Sequence, residues 1–121
     1  MEREDFGLQW LLELHGVMVH KEDGFWWKAE AWCVPPSVFC PHGVRYSLTL
    51  HNEYNTRIFG YENAHSIRIA SKGKFGSRIV RDHVHLTASD KGHFYEFSSA
   101  EQLLEDFFKH SDEIIKRRRK R

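Results

Sequence analysis

Arg81, Asp82, His83, Val84 and His85 bring a guanidinium, a carboxylate and two imidazoles into five consecutive positions. The β-branched valine between the histidines favours a strand. Side chains two positions apart on a strand share a face, so His83 and His85 can address one ligand. Asp82 points to the opposite face unless a bulge or turn redirects it. Two imidazoles on one face can act as acid and base, bind a metal ion or hold a phosphate.

A metal site is one interpretation of this pattern in a chain with 9 histidines. A His-x-His pair on a strand can supply two ligands, and Asp82, or Cys40 together with His42, could add others. The diagnostic spacings Cys-x-x-Cys and His-Glu-x-x-His do not occur in the sequence. The structural alternative is that the two strand histidines only form hydrogen bonds with neighbouring groups.

We favour acid–base cleavage of RNA without a metal ion or other cofactor. Cleavage through the 2′-hydroxyl needs a base for that proton, an acid for the leaving 5′-oxygen and a cation for the phosphate. Imidazole titrates near neutral pH and can fill either proton-transfer role. Arg81, Arg45 or Arg68 could neutralise the phosphate, and Asp82 or Glu62 could orient an imidazole. The supporting candidates around the histidine pair are Arg81, Glu62, His65, Arg45 and Tyr46.

The surrounding pattern predicts short strands that would position these residues. Strands are predicted over 17–21, 25–34, 44–51, 57–62, 79–86 and 93–97. Asp23-Gly24 marks a hairpin turn, and the loop over 35–43 holds all three prolines. The alternating set Phe25, Trp27, Ala29, Ala31 and Cys33 should face the core. Residues 6–15 fit a helix or a strand, and the pattern leaves this open.

The most regular pattern predicts a C-terminal helix. Ser98 and Ser99 each offer an N-cap, with Glu101 and Gln102 three residues later to complete a capping box. Apolar residues then recur at helical spacing: Leu103, Leu104, Phe107, Phe108, Ile114 and Ile115. The fold class is therefore α+β, a mostly antiparallel sheet of about five to six strands with this amphipathic helix packed on one face.

Charge is unevenly distributed along the chain. The formal net charge is +1, yet the last six residues are all basic: Lys116, Arg117, Arg118, Arg119, Lys120 and Arg121. We expect a single domain over 1–115 and a basic tail over 116–121. The tail is either a solvated helix end or a segment that binds the phosphates of a nucleic acid.

The remaining features exclude several classes of protein. Two cysteines are too few for a disulfide scaffold, and the sequence has no Gly-x-Gly-x-x-Gly motif, P-loop or nucleophile elbow. The acid-rich start is unlike a signal peptide, and no apolar run approaches about 20 residues. We therefore expect a cytoplasmic protein with no membrane association.

An ordered series of motifs resembles the TumE family of small toxins from prokaryotic toxin–antitoxin pairs. The series is His42-Gly43-x-Arg45-Tyr46-Ser47-Leu48, Gly60-Tyr61-Glu62-Asn63, Asp82-His83-x-His85, Tyr95-Glu96-Phe97 and Leu104-x-Asp106-Phe107. The resemblance implies a prokaryotic protein encoded beside a helix-turn-helix antitoxin that neutralises it. It also implies an RNA-cleaving or translation-blocking activity, but it assigns no catalytic residue.

The leading hypothesis is a toxin that acts on RNA as a metal-independent endoribonuclease. His83 and His85 are the expected acid and base, Asp82 the orienting carboxylate and Arg81 the phosphate ligand. A non-enzymatic module that binds nucleic acid or protein, with structural histidines, is the second hypothesis. A metal-dependent nuclease is the third, and a homodimer is left open.

Overall fold

Six strands form one antiparallel sheet in the computed structural model, which describes residues 5–64, 67–68, 78–79 and 82–119. The elements are α1 (Phe6–Glu13), β1 (Met18–His20), β2 (Trp26–Cys33), β3 (Val44–His51), β4 (Arg57–Glu62), β5 (Ile67–Arg68), β6 (Arg78–Ile79), β7 (His83–His85), β8 (His93–Phe94) and α2 (Ala100–Arg119). The large sheet has the order β1-β2-β3-β4-β7-β8, and β5 pairs with β6 separately. The predicted α+β class with a C-terminal helix is confirmed.

The core lies between one face of the large sheet and the two helices. The predicted stripe of α2 is confirmed, with Leu103, Leu104, Phe107 and Ile115 buried and its other members partly buried. The ring of Phe107 stacks on that of Phe59 in β4, with centroids 6.0 Å apart. This apolar packing leaves the opposite face of the sheet to polar side chains.

The polar face follows from the pairing of neighbouring strands. Ser47 on β3 is opposite Glu62 on β4, and Glu62 is opposite His83 on β7. Directly opposed residues lie on the same face of a sheet, so these side chains project together, away from the helices. The apolar face of β2 is the one predicted, with Ala29 buried in it. Cys33 is the exception, because it ends the strand and is exposed.

Two element predictions need correction or completion. The single strand expected over 79–86 is wrong, because Arg78–Ile79 pairs with β5 whereas His83–His85 joins the large sheet. Apolar alternation alone does not indicate which sheet a strand will join. The stretch left open near the N-terminus is helical, and Asp5 caps it by accepting a hydrogen bond from the Leu8 N–H at 2.9 Å.

The capping box of α2 is only half formed. Ser99 is the N-cap, because its Oγ accepts a hydrogen bond from the Gln102 N–H at 3.0 Å. The Gln102 side chain donates to Asp106 Oδ1 at 2.9 Å instead of returning to Ser99. The serine cap therefore fixes the helix start without the reciprocal bond that the sequence predicts.

α2 continues into the basic run. Residues 116–119 form its last turn and are exposed, where the helix dipole favours cations. Lys120 and Arg121 lie outside the described residues. Neither helix of the described residues has the length and apolar character of a membrane-spanning segment.

Candidate active site

Glu62, His83 and His85 form a cluster on the polar face of the sheet. The pairing of β4 with β7 places Glu62 opposite His83 and Gly60 opposite His85. Glu62 Oε1 lies 3.1 Å from His83 Nε2 and 3.4 Å from His85 Nε2. One carboxylate oxygen thus contacts both imidazoles of the predicted pair. Glu62, a supporting candidate in the sequence, is the carboxylate beside them.

The cluster is withdrawn from solvent. His83 is 2% exposed, His85 6% and Glu62 8%. The two imidazole rings meet edge to face with centroids 4.8 Å apart, and the Ser47 hydroxyl donates to Glu62 Oε2 at 3.4 Å. Because water screens charges poorly at such a site, each proton or cation here interacts strongly with the carboxylate.

A backbone carbonyl fixes the tautomer of His85. His85 Nδ1 lies 2.8 Å from the carbonyl oxygen of Asp90, which can only accept a hydrogen bond. Nδ1 therefore carries the proton and donates it to Asp90. In the neutral ring, Nε2 is left with a lone pair that is directed toward Glu62. Such a nitrogen can take a proton or bind a metal ion.

Asp90 also organises the turn that follows β7. Its carboxylate accepts hydrogen bonds from the Gly92 N–H at 2.8 Å and the Leu86 N–H at 3.0 Å. These two backbone donors hold the pKa of Asp90 below its ordinary value. These hydrogen bonds define the turn whose backbone carbonyl accepts from His85.

Gly92 packs against both imidazoles of the cluster. A Cβ added there would lie 3.0 Å from His83 Cδ2 and 3.3 Å from His85 Cε1. Its φ of +112° also disfavours any residue with a side chain. Neither Asp90 nor Gly92 is among the site residues predicted from the sequence, although an Asp two residues before a Gly is a turn signal.

Asp82 faces away from the histidine pair. Its Oδ2 accepts a hydrogen bond from the Tyr46 hydroxyl at 2.6 Å, and both carboxylate oxygens lie within 3.0 Å of His42 Nε2. The alternation along β7 thus takes Asp82 to the face opposite His83, as expected for a strand without a bulge. The structure therefore brings Asp82 together with Tyr46 and His42.

His42 is held in one tautomer in this second group. Its Nδ1 accepts a hydrogen bond from the Val44 N–H at 3.2 Å, so Nε2 carries the proton that is donated to Asp82. Its ring stacks on Phe97 with centroids 3.8 Å apart. Burial, followed by the charge of Asp82, raises the pKa of Tyr46 far above its ordinary value. The phenol therefore stays protonated as a hydrogen-bond donor.

The other supporting candidates are distributed around the two groups. Arg45 lies on β3 and donates from Nη1 to the backbone carbonyl of Asn63 at 2.8 Å. Arg45 is two residues before Ser47, so both side chains project from the polar face of β3. Arg81 and His65 lie outside the described residues.

The basic end of α2 lies beside the end of β7. A surface cleft of about 330 Å³ is lined by Ile58, Leu86, Thr87, Ile114, Arg117 and Arg118. Leu86 directly follows His85 in the chain. The guanidinium of Arg119 instead forms ion pairs with Glu22 and Asp23. The basic residues in the last turn of α2 are therefore not equivalent.

The cluster is also the candidate metal site among the described residues. The ligand atoms of Glu62, His83 and His85 all lie within 4.8 Å of one another. Cys40, considered as a ligand from the sequence, is buried with Sγ 3.5 Å from the Val44 carbonyl oxygen. His42 contacts Asp82, and neither residue is part of the cluster.

Comparison with known proteins gives one finding. A family model described as Toxin TumE matches residues 15–118, a span that includes every strand and all of α2 except its last residue. Comparison with the curated proteins and with the solved structures gives no match.

Proposed function

The chain belongs to the TumE toxin family, and from this premise we propose that it is a toxin that cleaves RNA. We propose a metal-independent endoribonuclease that works at Glu62, His83 and His85. The observation that supports this site is the single carboxylate oxygen that contacts both imidazoles.

The reaction we propose is transfer of the phosphate to the neighbouring 2′-oxygen. The 2′-oxygen attacks phosphorus, the bond from phosphorus to the 5′-oxygen breaks, and a 2′,3′-cyclic phosphate forms. One imidazole accepts the proton of the 2′-hydroxyl, and the other gives a proton to the leaving 5′-oxygen. The tautomer of His85 suits it to the role of base, because Nε2 presents a lone pair. His83 is then the acid.

Glu62 is the orienting carboxylate in this proposal, in place of Asp82. It is within 3.4 Å of both imidazoles, whereas Asp82 is hydrogen-bonded to Tyr46 and His42. A carboxylate that accepts from an imidazole N–H fixes its tautomer and stabilises its protonated form. In this proposal Asp82 anchors the start of β7. It therefore affects the cluster only by helping to hold the strand histidines in position.

Two groups of cations are suited to the phosphates of RNA. Arg45 projects from the polar face of β3 near the cluster, and its guanidinium can stabilise the charge on the reacting phosphate. Arg117 and Arg118 line the cleft next to Leu86 on the helix side of the sheet, where they can bind a part of the RNA that passes around the end of β7. Arg81, Lys120 and Arg121 belong to the same proposal on sequence grounds.

Membership of a toxin family implies an antitoxin partner. We propose that this partner is a helix-turn-helix protein encoded beside the toxin, as the motif resemblance indicates. The acidic excess of the chain before its basic tail suits a basic antitoxin surface and also keeps the free toxin soluble.

Expression in a bacterial host tests the proposal. The wild-type chain is induced beside a His83→Ala/His85→Ala variant and a His20→Ala control, which changes an exposed histidine on β1. Growth and total RNA are followed at intervals, and protein levels are matched. We expect growth arrest with new RNA fragments for the wild type and the control, and neither effect for the double variant.

Other outcomes separate the competing hypotheses. Arrest without RNA fragments would support the non-enzymatic binding module. Arrest with RNA fragments by the double variant would remove the cleavage site from Glu62, His83 and His85 while leaving the toxin function in place.

A further inference from the structure

The cluster has the spacing of a metal site. A tetrahedral ion with bonds of about 2.0–2.2 Å to nitrogen and oxygen separates its ligand atoms by about 3.3 Å. Glu62 Oε1 lies 3.1 Å from His83 Nε2 and 3.4 Å from His85 Nε2. Both imidazole nitrogens therefore stand at the separation from Glu62 Oε1 that one small ion requires, and all three ligand atoms lie within 4.8 Å of one another.

His85 supplies an independent argument. Its Nδ1–H is donated to the Asp90 carbonyl, and Nε2 is buried with no hydrogen-bond partner among the described residues. The lone pair on Nε2 faces Glu62 Oε1 at 3.4 Å, so two electron-rich atoms are opposed in a site that water barely reaches. A cation bound between them removes this repulsion.

The surroundings match those of a metal-binding histidine. Such histidines donate the ring N–H that does not face the metal to a carbonyl or carboxylate, as His85 does to Asp90. The Asp90 carboxylate in turn holds the turn through the Leu86 and Gly92 N–H groups, so the ring is oriented before any ion binds. The Ser47 hydroxyl likewise orients Glu62, because it donates a hydrogen bond to the second carboxylate oxygen.

The donor atoms select the class of ion. Two imidazole nitrogens and one carboxylate oxygen suit zinc and its neighbours in the first transition series. Magnesium and calcium prefer six or more oxygen ligands, which this cluster does not offer. We propose that Glu62, His83 and His85 bind one divalent transition-metal ion of the zinc type.

The bound ion regulates the same site. It occupies the lone pairs that the imidazoles need to exchange protons, so the metal-loaded chain is the inactive form of the nuclease. This regulatory part rests on the proposed function, whereas metal binding itself does not.

Titration of the metal-stripped full chain with Zn²⁺ in a calorimeter tests the binding. We expect one ion per chain, and a tetrahedral absorption spectrum when Co²⁺ is used instead. His85→Ala and Glu62→Gln should each weaken the site by at least about 10- to 100-fold, the loss seen when only outer partners are removed. The His20→Ala control should bind as the wild type does.

A folding control accompanies each variant. One equivalent of Zn²⁺ should raise the melting temperature of the wild type and of His20→Ala, but not that of a folded His85→Ala. Weak binding at several sites that His85→Ala leaves unchanged would overturn the proposal, because 9 histidines provide other ligands.

The two proposals fail separately. Tight binding at the cluster by a chain that does not cleave RNA would overturn the proposed function and leave the metal site standing. RNA cleavage by a chain that binds no Zn²⁺ at the cluster would overturn the metal site and leave the proposed function standing. We expect one equivalent of Zn²⁺ to stop cleavage and a chelator to restore it; unchanged cleavage by the loaded chain would overturn the regulatory part.

Discussion

Glu62 and His83 face each other across β4 and β7, with 3.1 Å between Glu62 Oε1 and His83 Nε2. The two residues are 21 positions apart in the chain, and only the strand pairing unites them. His85 joins them because it is two positions further along the same strand and so shares the face. The proposed chemistry therefore depends on the register of a three-residue strand.

Gly92 packs against both histidines of this strand, so Gly92→Ala should disturb their position. A methyl group there would press on both imidazoles, and the φ of +112° adds backbone strain of about 1–3 kcal/mol. Gly16→Ala is the matched control, since its φ is +80° and a Cβ would meet nothing within 4 Å. Both variants should unfold at lower denaturant, but only Gly92→Ala should also lower RNA cleavage by the folded chain. Equal cleavage rates in the two variants would contradict this role of Gly92.

Tyr46→Phe should lower stability and leave the chemistry in place. The variant loses the hydrogen bond from the phenol to Asp82 Oδ2, a bond to a charged group worth about 1.5–3 kcal/mol. The bond lies on the face opposite His83, so cleavage by the folded protein should not change. Tyr54→Phe is the control, because Tyr54 is 78% exposed and its loss should be neutral. Unchanged stability with lost cleavage would instead make Tyr46 a participant in the reaction.

Stability should fall in mild acid through His51. Burial, followed by the nearby charge of Lys28, lowers the pKa of His51 below 6.5. The unfolded chain therefore takes up this proton first, so the free energy of unfolding falls as the pH drops below about 6.5 and is fully restored above it. Denaturant unfolding at pH 7.5 and 5.5 should show a smaller acid loss for His51→Gln than for the wild type. An equal loss in both would contradict the assignment, and His20→Gln serves as the control.

The arginines in the last turn of α2 should contribute unequally to RNA binding. Arg117 lines the cleft beside the end of β7, whereas the guanidinium of Arg119 is paired with Glu22 and Asp23. Arg117→Gln should therefore reduce the slope of log affinity against log salt by about 0.7, the value for one phosphate contact on a single strand. Arg119→Gln should change the slope less. Filter binding at several salt concentrations measures both, and equal slopes would contradict the difference.

The sequence predicts most of the sheet because alternation and turn signals are local. The core stripe of α2 and the apolar face of β2, including Ala29, follow from periods of 3.6 and 2.0 residues. The division of 79–86 between two sheets does not, because pairing partners are distant in the chain. Asp82 was expected to orient the histidines because it adjoins them in the chain, although alternation along a strand already favours the opposite face for it.

The residue types of the site were predictable, but their grouping was not. Alternation places His83 and His85 on one face and Asp82 on the other. The choice of Glu62 as their common partner depends on the β4–β7 register, which no local pattern encodes. The carbonyl of Asp90 is still harder to foresee, since its role belongs to the backbone of a turn.

Cleavage of a short RNA by the purified, metal-stripped chain is the most direct test of the proposed reaction. The experiment compares the wild type with Glu62→Gln and with the control Glu30→Gln, because Glu30 lies opposite Ser47 on the same polar face. Each protein is tested on the RNA and on the same oligonucleotide with a 2′-deoxy residue at the cleavage point. We predict 2′,3′-cyclic phosphate ends, no cleavage at the deoxy position, a rate about 10²- to 10⁴-fold lower for Glu62→Gln, and no change for Glu30→Gln. Cleavage at the deoxy position, or a folded Glu62→Gln that cuts at the wild-type rate, would contradict the account.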